Sequence, residues 1–233
     1  VSGGVAGNSV TTNFNFGQRP FSYAPPTNFK SLCTQNIATP AVIKPSTVMD
    51  ILTYTGSVAT AQNVTGLGFQ PDLTWLKSRS NAQNNLLFDS IRGANSSLTS
   101  DLTNTAQPGW TGQAFLSNGF TVSRAFSGET NTNGATYAMW NWKEGVTQGL
   151  DTVAFSGTGL TQNINHGLGV APSFIIYKNT TGVAASWTVG HTKLNGGTTP
   201  WNYYTVLNTT AAQAASSSAW NNTAPTSSVF TVG

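Results

Sequence analysis

Charge is what this sequence has least of. Only 7% of its 233 residues are Asp, Glu, Lys or Arg, against about a quarter in an average soluble domain. The formal net charge is +3, from ten basic and seven acidic residues. That surplus reflects few acids, not many bases, and the basic residues are scattered, with Lys77 and Arg79 the closest pair. Nucleic-acid binding needs a clustered basic face, so it is not an expected function. Cysteine is nearly absent: Cys33 stands alone, so no intrachain disulfide forms, and it reads as a small buried hydrophobe or an inert thiol. No apolar run approaches the ~20 residues of a membrane span, so no membrane insertion is expected. The opening VSGGVAGNSV has neither the basic nor the apolar region of a signal peptide.

Groups for catalysis are as scarce. The two histidines, His166 and His191, with a remote Cys33, fall short of the three or four ligands a zinc site needs. Gly-Leu-Gly occurs twice, at 66–68 and 167–169, without the third glycine or the following helix of a dinucleotide site. Nothing resembles a Gly-x-Ser-x-Gly elbow. The acids show no suggestive local pairing of the kind a glycosidase uses. Asp89 lies in Phe-Asp-Ser-Ile-Arg-Gly, where a contact with Arg92 would brace a loop. His166 fits as a hydrogen-bonding cap in its turn. The expectation is a non-enzymatic chain with no catalytic residues, metal or cofactor.

What is present suits a rigid appendage. Hydrophobic residues make up 38% and aromatics 11%, enough for a packed core, while hydroxyl, amide and glycine residues supply the polar surface. Disordered chains lack that aromatic and β-branched content. The chain also repeats itself. Tyr54-Thr-Gly56 returns as Phe155-Ser-Gly157, Pro71 as Pro172, and Leu73-Thr-Trp-Leu-Lys77 as Phe174-Ile-Ile-Tyr-Lys178, all at an offset of 101 residues. Gln62-Asn-Val64 returns as Gln162-Asn-Ile164, one residue out of step. Trp110 then matches Trp220, and Phe120-Thr-Val122 matches Phe230-Thr-Val232, at an offset of 110. These are two copies of one unit. Copy one continues into 135–143, where Thr136, Ala138, Trp140 and Trp142 share a face expected to be buried. Copy two stops at Gly233 before such a strand, so the sequence reads as a fragment of a longer chain.

Period-two alternation between Gly, Asn, Ser and Thr clusters predicts strands at 73–77, 120–124, 135–143, 152–155, 174–178 and 203–207. Only 99–107 and 211–220 would admit a short helix, without a clear 3.6-residue period. The expected fold class is all-β, as tandem β-sandwich domains.

Two resemblances extend this reading. Asn15-Phe-Gly-Gln-Arg-Pro-Phe21, followed by Tyr23-Ala-Pro-Pro26 and Phe29-Lys-Ser-Leu32, resembles the closing strands of SPRY domains. Their fold is a concanavalin-like sandwich used for binding, and the match covers only about the last quarter of such a domain. GLGFQPDLTWLKSR (66–79), LLFDSIRGA (86–94), SNGFTV (117–122) and TYAMWNWKEG (136–145) resemble a repeat common in tail-fibre and other structural proteins of tailed phages. In marine and cyanobacterial phages a SPRY-like domain often precedes such repeats. Copy two departs most from the pattern around Trp187-Thr-Val-Gly-His191. The organisation implied is 1–37 as the C-terminal strands of a SPRY-like domain, 38–47 as linker, 48–146 as the first concanavalin- or jelly-roll-like repeat, and 150–233 as a truncated second.

The resemblance implies a structural and adhesive virion-surface protein, first of all a tail-fibre segment. Its implied partners are its own copies (a homotrimer), other virion proteins and host-surface polysaccharide. The alternatives are a capsid-surface decoration, a polysaccharide depolymerase or a bacterial adhesin. Trp201, Tyr203 and Tyr204 follow the loop Asn195-Gly-Gly197 and are the candidate glycan platform. Core or interface packing is the competing reading, since large aromatics dominate burial in sandwiches. Trp75, Trp110, Trp140, Trp142 and Trp220 are expected in the core.

Overall fold

A computed structural model describes residues 14–15, 19–24, 26–27, 29–30, 39–42, 44–124 and 129–233. The chain divides into two units, Val1–Ile43 and Lys44–Gly233. In the first, most of residues 1–37, the segment expected to be SPRY-like, lies outside the described residues, Cys33 included. The described part contains no strand; Asn15 Nδ2 donates to the Arg19 carbonyl at 3.1 Å, and the Phe29 amide closes a turn on the Pro26 carbonyl at 2.9 Å. Of the expected linker 38–47, residues 38 and 43 are likewise outside, and Pro45–Thr47 forms a 3-10 turn belonging to the second unit.

In Lys44–Gly233 the alternating segments become antiparallel strands. Copy one contributes β1 (Met49–Thr55), β2 (Ala61–Thr65), β3 (Leu73–Ser78), β4 (Leu86–Asp89), β5 (Ser96–Thr99), β6 (Gln107–Pro108), β7 (Ala114–Leu116), β8 (Gly119–Ser123) and β9 (Thr136–Trp142). Copy two contributes β10 (Gln162–Asn165), β11 (Phe174–Tyr177), β12 (Thr188–His191), β13 (Tyr203–Val206), β14 (Ala214–Ala215) and β15 (Val229–Val232). No α-helix occurs among the described residues, and neither 99–107 nor 211–220 is helical. The fold is an all-β sandwich.

Copy one pairs a six-stranded sheet, β1-β9-β3-β4-β5-β6, with a three-stranded one, β2-β8-β7. Leu76, Leu86, Phe88, Trp110, Phe120, Tyr137 and Met139 fill the core between them. Copy two repeats the plan with β11-β12-β13-β14 and β10-β15, around Ile164, Ile175, Trp201, Trp220 and Phe230. The correspondence reaches single atoms. Thr121 Oγ1 donates to Asn63 Oδ1 across β2–β8 at 2.9 Å, and Thr231 Oγ1 donates to Asn163 Oδ1 across β10–β15 at 2.9 Å.

Three expectations need correcting. Residues 152–155 are irregular. Their counterpart β1 is held by β9 along its whole length, and among the described residues no strand pairs with 152–155 in the same way. The buried face of β9 is the opposite of the expected one, with Tyr137, Met139 and Asn141 inward. Asn141 is tolerated there because its Oδ1 accepts from Thr74 Oγ1 at 3.0 Å and its Nδ2 donates to the Met139 carbonyl at 2.9 Å. Trp75, Trp140 and Trp142 are therefore half-buried on the outer face, while Trp110 and Trp220 are core residues as expected.

The copies are joined by loops. The indole N–H of Trp187 donates to the Thr99 carbonyl at 2.9 Å. Backbone bonds run from Ala106 N to Thr180 O (2.9 Å) and from Ala185 N to Thr103 O (3.1 Å), and Lys178 Nζ donates to Thr103 O at 2.8 Å. The chain crosses between copies in a turn where Gly145 N meets Leu150 O at 2.9 Å.

Glu144 sits in that crossing, its backbone N–H on Asp72 Oδ2 at 2.9 Å. Desolvation raises its carboxyl above the ordinary range; Thr152 hydrogen bonds oppose this, and the charges of Asp72 and Asp151 add to it. The folded state thus holds the proton more tightly than the unfolded state. Stability contributed here is full at acid pH and falls as pH rises out of the usual carboxylate range. Glu144→Gln should flatten that fall and raise the melting temperature at neutral pH; melting curves across pH check it.

Candidate functional site

The outer face of the six-stranded sheet carries an apolar row set by strand register. Ile51 lies opposite Trp140, Trp140 opposite Trp75, Trp75 opposite Leu87, and Leu87 opposite Leu98. Side chains alternate between faces, so all five project from the side away from the core. The two indoles meet at 6.5 Å with a 58° tilt. Ile51 at one end is 48% exposed, whereas Leu98 at the other is buried next to Thr99, the acceptor of the Trp187 indole.

Beside Trp75 the row opens into a groove of about 350 Å³ between the copies. Asn85, Ser100 and Asp101 line it from copy one, and Leu207, Asn208, Thr209 and Thr210 from copy two. Backbone bonds fix these groups in place. Asp101 Oδ1 accepts from the Asn85 amide at 2.9 Å, and Asn208 Oδ1 accepts from the Trp187 amide at 2.9 Å. Each is pinned through one oxygen, which leaves Asp101 Oδ2 and Asn208 Nδ2 for a ligand. An indole face with a fixed acceptor and a fixed amide suits a molecule with apolar C–H faces and many hydroxyls. Among the described residues that line the groove there is one acid, Asp101, and no Lys, Arg or His, which disfavours an anionic ligand.

The aromatic trio expected to form a platform is split by the fold. Trp201 is 5% exposed and packs edge-on against Trp220 at 5.3 Å, inside the core of copy two. Tyr204 packs against the same core, and Tyr203, one residue earlier on β13, faces the other way. Trp201 lies in the 3-10 turn Pro200–Asn202 and its indole sits against Gly190 of β12, which has no side chain to displace it.

Asp89 and Arg92 form the expected brace, with Arg92 Nη2 on Asp89 Oδ2 at 2.5 Å. His166 is the expected turn cap: its Nδ1 accepts from the Leu168 amide at 3.3 Å, and its Nε2 lies 3.2 Å from the Thr226 carbonyl. His191 Nδ1 accepts from the Lys193 amide at 3.0 Å. Among the described residues no three His, Cys, Asp or Glu side chains are grouped to hold a metal ion. Glu129 has its carboxyl raised by desolvation, with the charge of Asp101 adding to it. The groove residues come from segments more than a hundred positions apart, and nothing in the sequence marks them as neighbours.

No curated protein and no solved structure matches the chain. One family model does match, over residues 44–233, and so runs through both copies and the seam between them. The chain belongs to that family, described as a domain of unknown function (DUF7483).

Proposed function

We propose that the chain is a non-enzymatic structural and adhesive protein of a virion surface, a tail-fibre segment of a tailed phage, that holds neutral host-surface polysaccharide on the Trp140–Trp75 row and in the seam groove. The observation that carries the adhesive reading is the indole pair leading into a groove with Asp101 and Asn208 pinned at its edge. The phage assignment is supported by the likeness of GLGFQPDLTWLKSR and TYAMWNWKEG to phage structural repeats. A surface of hydroxyls and amides, with 7% charged residues, fits an exposed appendage. Assembly into a homotrimer beside other virion proteins belongs to the same proposal; a capsid-surface decoration would use the same face.

A depolymerase is the second reading. It is favoured by one observation, the Glu129 carboxyl raised above its ordinary range by desolvation and by the charge of Asp101, since glycoside hydrolysis uses a carboxyl with a raised pKa opposite a second carboxyl group.

Binding to immobilised neutral capsular and O-antigen polysaccharides tests the adhesive reading. Trp75→Ala and Trp140→Ala should each weaken binding by about tenfold or more, as expected for anchoring aromatics. Their circular dichroism should stay that of the parent, because both indoles lie outside the core. Unchanged affinity in both variants would remove the row as the site.

A further inference from the structure

One end of copy one's smaller sheet carries a pocket that neither the Trp140–Trp75 row nor the seam groove uses. It encloses about 360 Å³ and is lined by Thr60, Ala61, Thr111, Gly112, Ser123 and Arg124, a size within the roughly 300–1,000 Å³ of small-molecule sites. Strand register builds it. Ala61 opens β2 and lies opposite Ser123, the last residue of β8. The Arg124 amide extends that pairing by donating to the Thr60 carbonyl at 2.9 Å. Gly112, at a φ of +83°, approaches this pair closely: a Cβ there would lie 3.3 Å from Ser123 Cβ and 3.9 Å from Ala61 Cβ. With no side chain at 112, the space beside Ser123 stays open.

Two polar groups in the pocket are uncommitted. Ser123 is 3% exposed, and its Oγ has no hydrogen-bond partner. Its carbonyl accepts from Thr130 Oγ1 at 2.6 Å, so the residue is clamped through its backbone while the hydroxyl holds nothing. A buried hydroxyl without a partner costs free energy, and turning it about one torsion towards a ligand breaks no bond. The Arg124 guanidinium is tethered by Nη1 to the Val58 carbonyl at 3.4 Å, which leaves Nε and Nη2 for a ligand. Among the described residues that line the pocket, Arg124 alone is charged. Copy two does not repeat the arrangement. The offset of 110 that matches Trp110 with Trp220 puts Asn222, at a φ of 51°, in place of Gly112, and Gly233 in place of Ser123.

We infer that this pocket binds an acidic sugar residue, a uronate, with its carboxylate on Arg124 and Ser123 Oγ and its ring hydroxyls on Thr60 and Thr111. A planar guanidinium fork matches a planar carboxylate. One positive charge balances a carboxylate, whereas a phosphate monoester carries about −1.5 to −2 at neutral pH. Hydroxyl side chains both donate and accept, as the hydroxyls of a sugar ring do. No aromatic lines the pocket, so the ring is held by its polar rim and not by stacking. The site shares no residue with the row or the groove, so it stands or falls independently of neutral polysaccharide binding there.

Three probes titrated into the full chain and followed by amide chemical shifts test this: methyl β-D-glucuronide, methyl β-D-glucoside, which has a hydroxymethyl in place of the carboxylate, and inorganic phosphate. The glucuronide should shift the amides of Thr60, Gly112, Ser123 and Arg124 saturably. The glucoside should bind about tenfold more weakly or worse, and phosphate should not saturate. Arg124→Gln should weaken glucuronide binding by about tenfold or more, as loss of a charge-assisted pair does. Ser123→Ala should weaken it severalfold without lowering the melting temperature. Gly112→Asn, the residue copy two has at this position, should close the pocket and abolish binding. No saturable shift with the glucuronide, or equal binding of the glucoside or of phosphate, overturns the inference. So does a Ser123→Ala variant that melts lower but binds as the parent does, since its role is then only structural.

Discussion

Replacing Gly190 by phenylalanine should strongly destabilise copy two, and combining it with Trp201→Ala should cost clearly less than the sum of the two single losses. Gly190 faces Ile175 across β11–β12 as Phe88 faces Thr74 across β3–β4, so the two positions are equivalent. In copy one the Phe88 ring meets Trp110 edge-on at 5.3 Å and 89°. In copy two the equivalent Trp220 is met edge-on by Trp201 at 5.3 Å and 81°, from a loop instead of the strand. Only a residue without a side chain fits beneath it: a Cβ on Gly190 would lie 2.5 Å from Trp201 and 2.6 Å from Trp220. One aromatic edge against a buried indole is thus supplied in two different ways. Gly190→Phe alone overpacks the core and should cost about 3 kcal/mol or more. Trp201→Ala alone leaves a cavity and should cost about 3–5 kcal/mol. In the double variant the new ring takes the vacated space, so denaturant titration should show a favourable coupling of roughly 2–3 kcal/mol. Simple additivity of the two losses would show that the copies do not share this packing.

Asp89→Ala should be the most damaging single change in copy one. The buried carboxylate accepts from the Arg92 backbone amide at 2.8 Å, from Nε at 2.6 Å and from Nη2 at 2.5 Å. Arg92 then ties the turn to the carbonyls of Ser96 and Leu87, each at 3.3 Å. Removing one member of a buried pair strands the other, at about 3–5 kcal/mol. Removing both, as Asp89→Ala with Arg92→Met, should cost less than Asp89→Ala alone. Copy two has His191 at the Asp89 position and no ion pair among its described residues, so its turn is held by other means.

The repeat was legible because the residues that set pairing recur in order. The Asn63–Thr121 and Asn163–Thr231 bonds explain why Gln-Asn-Val and Phe-Thr-Val return as Gln-Asn-Ile and Phe-Thr-Val. Other features depend on partners that no local pattern names. Residues 152–155 alternate like a strand, but a strand needs a neighbour. Both faces of β9 are apolar, and Asn141 on the inner one disguises it, so hydrophobicity alone selects the wrong side. The exchange of Phe88 for Trp201 is invisible without the register that puts Gly190 beneath the loop. The seam groove joins Asp101 to Asn208 through packing of copies, which alternation within either copy does not encode.

The central claim is adhesion without cleavage. Incubating the full chain with a neutral capsular polysaccharide that it binds, and following polymer mass by light scattering, tests it most directly. Adhesion without cleavage gives a complex whose polysaccharide keeps its starting mass after prolonged incubation, equally for the parent and for Glu129→Gln. A polymer mass that falls with the parent chain and holds steady with Glu129→Gln would contradict adhesion without cleavage and establish a depolymerase.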